Sequence, residues 1–271
     1  MIKLAKAPAL VVASARMMIS AAVLWLFAPF TKAGKLSTIN WKAVMAASFF
    51  LALHFGFWIT SLDSTSVASS LVLVTMNPVI VAIGSTFFLQ EPPSGQLLFG
   101  TFLSIIGCFV LVIGEGVTIT HSLTGNLLAL GGAFAMSFYM MVGRYTVSRE
   151  RDRQGNVFAY LTWVSTIAGI FLLFGAFITG APITGYSSQS ILYMVLLALI
   201  PQTIGHLGIN WALKYLHTSY LAAAILVEPL AGTFLAYLVI GENLSIYSLS
   251  GGLIILIGVG IAFSRTSFSR I

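Results

Sequence analysis

The sequence predicts an all-α polytopic membrane protein, and its composition, its segment lengths and an internal repeat all point to that class. Of the 271 residues, 58% are hydrophobic and 7% are charged, whereas a soluble domain carries about 25% charged residues. A soluble protein of this composition would leave a large apolar area in water. The composition therefore excludes a soluble enzyme and a disordered chain. The net charge of +6 does not indicate nucleic-acid binding either, because the basic residues form no dense patch for phosphates.

Nine apolar segments follow one another along the chain, and each has the roughly 20 residues needed to cross a bilayer. Short turn-forming stretches such as 32–35 and 91–95 separate them and leave no room for a soluble domain. The first segment follows a basic stretch but contains Arg16 and no clean cleavage site, so we interpret it as a helix rather than a signal peptide. The predicted segments are 8–29, 43–62, 66–89, 96–114, 123–143, 156–179, 190–213, 219–240 and 245–264.

A pattern of proline, glutamate and glycine residues in the first half of the chain recurs 151 residues later in the second half. In both halves a proline precedes a glutamate by 13 positions, and two glycines follow the glutamate at steps of nine and seven residues. Such self-similarity at a fixed offset indicates an internal repeat. The matched pairs are Pro78 and Pro229, Glu91 and Glu242, Gly100 and Gly251, and Gly107 and Gly258.

The repeat divides the chain into residues 1–115 and 116–271. The four segments of the first part coincide, after the shift, with the last four of the second part, while segment 123–143 has no counterpart within the chain. The first repeat therefore shows four helices and the second shows five. We expect a further helix before residue 1, which would complete a bundle of five plus five helices with nine present here.

The basic residues predict how the chain crosses the membrane. By the positive-inside rule, we expect the C-terminus in the cytoplasm of a bacterial inner membrane, with only Lys3 and Lys6 outside. An odd number of helices per repeat gives the two repeats opposite orientations, and inverted repeats are typical of secondary transporters. The basic residues expected on the cytoplasmic side are Lys32, Lys35, Lys42, Arg144, Arg149, Arg151, Arg153, Lys214, Arg265 and Arg270.

These features resemble the drug/metabolite transporter superfamily, and most closely its EamA-type bacterial branch. The resemblance is carried by the paired Pro-x12-Glu helices, the glycine-spaced helix after each, Arg16 in an early helix, and the run HFGFWITSLDSTSVASSLVLVTMNP. It covers the whole chain. It implies a five-plus-five inverted-repeat transporter bundle of ten helices, often an exporter of amino acids or other small metabolites. The helix expected before residue 1 is the one that lines the central cavity in that family.

Glu228 is the strongest candidate for transport chemistry, because a carboxylate at bilayer depth is costly unless it is protonated, paired or in water. It directly precedes Pro229, and proline leaves a backbone carbonyl free one turn earlier, so Pro78 and Pro229 are predicted helix breaks. Its repeat counterpart is Asn77, so both repeats have a polar residue before the proline, but only the second repeat has a charged one. Two interpretations remain open: proton coupling or recognition of a substrate amine, and a structural pair with Arg16 or the backbone.

Other polar side chains are candidates for lining a cavity or for structural hydrogen bonds within the bundle. Arg16 is either a clamp for a carboxylate or, as we favour, the structural partner of an acid or of helix-end carbonyl groups. His54 and Trp58 share one helix face, and a second polar face runs along another helix, because residues four apart lie on the same side. The remaining cavity candidates are Tyr139, Gln202, His206 and Asn210.

Further features are interpreted as structural. The repeated glycines favour close helix packing, Glu91 and Glu242 suit helix ends or contacts in gating loops, and 144–153 is expected to be a solvated loop. The chain has no G-x-S-x-G, H-E-x-x-H or Walker A motif and a single cysteine, Cys108. These absences predict no enzyme activity, no cofactor, no metal site and no direct use of ATP.

We therefore expect a secondary transporter, an exporter of small metabolites such as amino acids or drugs, working by alternating access with proton coupling or by facilitated diffusion. The expected cavity is lined by segments 43–62, 66–89, 123–143, 190–213 and 219–240. The expected partners are a small-molecule substrate, the lipid bilayer and a second copy of the chain, with no nucleic acid. The alternative is a non-transporting membrane receptor or assembly protein.

Overall fold

The computed structural model describes residues 2–30, 40–114, 122–148, 155–241 and 244–264. Within these ranges the chain forms helices and no strand, and nine helical stretches are long and apolar enough to cross a membrane. The predicted all-α polytopic class is confirmed. Twelve α-helices make up these stretches: α1 Ala9–Phe27, α2 Trp41–Ser64, α3 Val67–Val74, α4 Asn77–Phe88, α5 Gly95–Gly114, α6 Leu123–Ser148, α7 Gly155–Ile178, α8 Ser188–Leu197, α9 His206–Tyr215, α10 Thr218–Ile225, α11 Glu228–Ile240 and α12 Ile246–Phe263.

Two of the predicted segments are each divided into two helices. The segment predicted at 66–89 comprises α3 and α4, and the one predicted at 219–240 comprises α10 and α11. In both cases the second helix carries a proline, Pro78 or Pro229, in its first turn. Proline fits there because the first turn of a helix has no intrahelical partner for its N–H groups. The chain therefore bends twice within the bundle, directly before Asn77 and directly before Glu228.

The segment predicted at 190–213 extends from Ser188 to Tyr215. We had expected one continuous helix, but the segment changes helix type in its middle. Residues Ala198–Gly205 form a π-helical turn between α8 and α9, with Pro201 inside it. Proline cannot donate a backbone hydrogen bond, which favours a local change of helix type. The hydroxyl of Thr203 donates to the Ala198 carbonyl oxygen at 2.7 Å, which satisfies an acceptor within the widened turn.

The alternating helices give the bundle two ends, which we call end I and end II. At end I, Trp25 near the end of α1 and Trp41 at the start of α2 each pack edge-on against Trp163, with ring centroids 5.0 Å apart. At end II, the Thr65 hydroxyl after α2 donates to the Asn126 amide oxygen at the start of α6 at 3.0 Å. End I therefore holds the starts of α2, α5, α7 and α10, and end II holds the starts of α3, α6, α8 and α12.

Helices α5 and α12 pack closely along the repeated glycines, as the sequence predicted. A Cβ atom on Gly107 would lie 2.8 Å from the Gly251 carbonyl oxygen, and one on Gly258 would lie 2.6 Å from the Gly100 carbonyl oxygen. Between these crossings the Ser104 hydroxyl donates to the Ile255 carbonyl oxygen at 3.2 Å. Ser104 thus contacts Ile255, its own repeat counterpart. On either side of it, Gly107 contacts the counterpart of Gly100, and Gly100 contacts the counterpart of Gly107. This is the arrangement of a self-complementary interface around a two-fold axis.

The close approach in this seam can be tested by comparing two glycines of α12. We expect Gly258→Ala to destabilise the protein by about 1–3 kcal/mol, because its Cβ would meet the backbone of α5 and force the two helices apart. A matched control is Gly260→Ala, since a Cβ at Gly260 would meet no atom within 4 Å. Thermal unfolding in detergent measures both variants, and equal midpoints would contradict the prediction.

Candidate functional site

A cavity of about 610 Å³ lies at the middle of the bundle. All five segments expected to line it contribute residues, and α1 and α5 contribute as well. The cavity extends toward end II, where Leu111 and Thr233 form part of its wall, whereas their repeat counterparts near end I, Ala262 and Ala82, do not line it. The bundle is therefore open at its centre and toward end II, and it is packed toward end I.

Arg16 and Glu228 place opposite charges on the wall of this cavity. The guanidinium of Arg16 lies 4.1 Å from the centre of the Phe55 ring, and its Nε has no hydrogen-bond partner among the described residues. Glu228 begins α11 and is exposed within the structure. The two charges interact electrostatically, but the one ion pair within the described ranges joins other residues. The direct pair between Glu228 and Arg16 that we had considered is therefore not formed here.

The two bends before the prolines differ in how they are held. The Asn77 side-chain amide donates to the Ser137 hydroxyl oxygen on α6 at 2.8 Å, and the Ser137 hydroxyl lies 3.3 Å from the Asn77 carbonyl oxygen. Helix α6 thus fixes the bend between α3 and α4. For the Glu228 side chain, at the equivalent bend, the described residues supply no hydrogen bond or ion pair. The asymmetry that the sequence indicated therefore extends to the contacts of the two bends.

Two histidines line the cavity, each held by a partner on α6. His54 Nδ1 lies 2.9 Å from the Gly132 carbonyl oxygen, and because a carbonyl only accepts, His54 donates from Nδ1. His54 also stacks on Trp58, whose indole N–H has no partner in the described ranges. His206 Nδ1 lies 3.4 Å from the Tyr139 hydroxyl. Both rings are thus oriented by contacts behind the cavity wall.

Three predicted site residues lie behind the wall rather than on it. Tyr139, Gln202 and Asn210 are fully buried and are not among the residues that line the cavity. The Asn210 amide donates to the Tyr139 hydroxyl at 2.6 Å, so these two support His206. The Gln202 amide has no partner among the described residues. The predicted residues that do line the cavity are Arg16, His54, Trp58, Asn77, Pro78, His206, Glu228 and Pro229.

The sequence analysis missed a largely buried ion pair at end I. Arg144 was predicted to belong to a solvated loop, and this was wrong, because α6 continues to Ser148 and the Arg144 side chain is only 8% exposed. Its Nε donates to Glu91 Oε1 at 2.8 Å. The predicted end of this helix at 143 is five residues short of the observed end at Ser148, so Arg144 was placed outside the helix. Residues 149–154 and Glu242, the repeat counterpart of Glu91, lie outside the described residues.

Comparison with known proteins finds one family model, the EamA-like transporter family, which matches twice, over residues 1–113 and 123–264. A protein of Bacillus subtilis strain 168 named "Uncharacterized transporter YdfC" is 26% identical over 260 residues, covering 93% of this chain and 81% of the relative. An "Uncharacterized transporter" of Clostridium kluyveri is 24% identical over 205 residues, covering 74% of this chain and 64% of the relative.

A solved crystal structure has the same fold as this chain. It superposes with a TM-score of 0.79 over 94% of this chain and 88% of the other, at 17% sequence identity. At that identity the similarity shows the fold alone.

The hydrogen bonds behind His206 predict a measurable cost for removing one hydroxyl group. We expect Tyr139→Phe to destabilise the protein by about 1–3 kcal/mol, because the buried Asn210 amide would lose an acceptor within the bundle. Tyr247→Phe is the matched control, because Tyr247 is 55% exposed. Thermal unfolding of both variants in detergent tests this, and an unchanged midpoint for Tyr139→Phe would show that the hydroxyl does not support the site.

Proposed function

This chain belongs to the EamA-like transporter family and is a membrane transporter rather than an enzyme, and from that premise we propose that it carries a small zwitterionic metabolite by alternating access. The observation that supports this proposal is the placement of Arg16 and Glu228 on one cavity wall without a direct ion pair. Ionisable side chains within membrane-spanning segments mark the paths of substrates and ions.

A molecule with one positive and one negative group matches this pair of charges. A substrate carboxylate would accept from the Arg16 guanidinium, and a substrate ammonium would donate to the Glu228 carboxylate, each through a charge-assisted hydrogen bond. A singly charged solute would leave one of the two side chains without a partner inside the membrane. The apolar part of the substrate would contact Phe55 and Trp58, which line the same cavity. The proposed substrates are therefore amino-acid-like zwitterions.

We propose that protons drive the transport and that its direction is export. The sequence has no Walker A motif for direct use of ATP. Glu228 is accessible from the cavity and has no fixed cation bonded to it, so it can exchange a proton when the substrate leaves. A carboxylate that binds either a proton or a substrate ammonium makes the two compete for one site. Such competition couples the flow of the substrate outward to the flow of protons inward.

The basic residues at end I support a proposal for the orientation in the membrane. Three of the ten that the sequence placed in the cytoplasm lie in the described part of the chain, Lys42, Arg144 and Lys214, and all three belong to helix ends at end I. The other seven lie outside the described residues. We propose that end I faces the cytoplasm of a bacterial inner membrane. The two family matches and the exchanged glycine contacts of α5 and α12 support two repeats of opposite orientation.

The proposed roles of Arg16 and Glu228 predict a crossed pattern of specificity. Binding to the purified protein would be measured for an amino acid, its carboxamide, which lacks the carboxylate, and its N-acetyl form, which lacks the ammonium. The native protein should prefer the amino acid over each derivative by about 10–100-fold, the range expected for one charge-assisted hydrogen bond.

The variants separate the two contacts. Arg16→Gln should abolish the preference over the carboxamide alone, and Glu228→Gln should abolish the preference over the N-acetyl form alone. Asp63→Asn removes an exposed carboxylate near end II and should change neither preference. If both site variants lost both preferences equally, the charges would not contact separate ends of the substrate.

Proton coupling predicts a second effect of Glu228→Gln. In proteoliposomes, an imposed pH gradient should accelerate substrate flux through the native protein, while exchange of substrate without a gradient should persist. In the variant we expect exchange to continue and the response to the gradient to disappear, because glutamine carries no proton across. An unchanged response to the gradient would remove Glu228 from the coupling role.

A further inference from the structure

A network of hydrogen bonds around Arg144 joins four helix ends at end I. Besides its bond to Glu91, Arg144 donates from Nη1 to the Leu213 carbonyl oxygen at 2.9 Å and to the Lys214 carbonyl oxygen at 3.2 Å. The other oxygen of Glu91 accepts from the backbone N–H of Thr218 at 3.4 Å. The end of α4, the end of α6, the end of α9 and the start of α10 are thus held together by one largely buried ion pair and its hydrogen bonds.

The network connects the two family matches across the bundle. Glu91 belongs to the match over 1–113, while Arg144 and Thr218 belong to the match over 123–264. A neighbouring bond also crosses the two halves, since the Ser85 hydroxyl lies 3.0 Å from the Ser219 hydroxyl. Both contacts lie at end I, whereas the cavity extends toward end II. The pair therefore joins the two halves of the chain at the end that the cavity does not reach.

The chemistry of this pair suits a contact that forms and breaks. The side chains are 8% and 14% exposed, so the pair is strengthened by partial removal from water but remains close to it. When such a pair separates at a protein end, water can enter and solvate both charges, which limits the cost of opening. The two accepting carbonyl groups end α9, where the intrahelical hydrogen bonds stop. Arg144 therefore holds groups that no helical bond would otherwise satisfy.

We propose that Arg144 and Glu91 form a latch that closes end I while the cavity is open toward end II, and that this latch opens in each transport cycle. The proposal rests on the proposed function, because only alternating access requires end I to open. Loss of either charge shifts the population toward the state that is open at end I, since the closed state alone contains the bond.

The accessibility of a buried position between the cavity and end I tests the latch without any transport assay. Val81 lies on α4 about one turn from Pro78 toward Glu91 and is fully buried, so Val81→Cys in a Cys108→Ala background provides a single thiol. In detergent, Arg144→Gln and Glu91→Gln should each raise the rate of labelling by a hydrophilic maleimide by about tenfold or more. Lys42→Gln removes an exposed charge at the same end and should leave the rate unchanged. Equal rates in all four proteins would overturn the latch.

A reversible cross-link provides the second test and does not depend on the stability of the neutral variants. In the same Cys108→Ala background, Glu91→Cys and Arg144→Cys are joined by a short bifunctional thiol reagent that a reductant cleaves. We expect the joined protein in proteoliposomes to bind an amino acid but not to transport it, with transport restored after cleavage. Transport at the same rate before and after cleavage would overturn the proposal. Faster labelling of the thiol introduced by Val81→Cys, in a protein that transports no zwitterion, would support the latch and contradict the proposed substrate instead.

Discussion

The absence of hydrogen-bond partners in lipid is the constraint on which the rest of this structure depends. Every backbone group within the membrane has to be satisfied inside the protein, so irregular backbone is tolerated only where it is buried or lines a cavity. The two bends before Asn77 and Glu228 and the π-turn around Pro201 fit this rule, because residues at all three line the central cavity. In the described part of the chain, the membrane-spanning helices are therefore broken only where the irregular backbone lines the cavity.

The same constraint explains why the chain has few charged residues within the membrane, and why these line the cavity or are held in an ion pair. Arg16 is placed over the face of Phe55 and Glu228 faces open space, so neither is left against lipid. At end I, Arg144 is held by an acid and by two carbonyl groups of α9. One pair of charges is separated across a cavity and the other is joined at a closed end. This difference in contact is the reason why we propose a binding site for the first pair and a latch for the second.

The fold could be predicted from the sequence because its signals are long and repeated. Nine apolar segments and a fixed offset between two halves leave little choice of class, and the expectation of a further helix before residue 1 stays a prediction. The site was less predictable, since composition places polar residues on helices but does not say which face meets the cavity. Tyr139 and Asn210 lie behind the wall, where they bond to each other. Arg144 was missed because a helix end shifted by a few residues separates a loop cation from a buried one.

The two-fold contacts of α5 and α12 and the asymmetric polar groups have different consequences in the proposed alternating-access cycle. Contacts between repeat counterparts, such as that of Ser104 with Ile255, are mapped onto themselves when the two halves exchange conformations, and they can persist throughout the cycle. The contact of α1 with α7 belongs to this class, since Met18 packs on its counterpart Gly169. Contacts off the axis, such as that of Glu91 with Arg144, are not mapped onto themselves, so they can form in one state of the proposed cycle and break in the other. The glycine seam is thus the part of the bundle suited to stay fixed, and the ion pair is the part suited to switch.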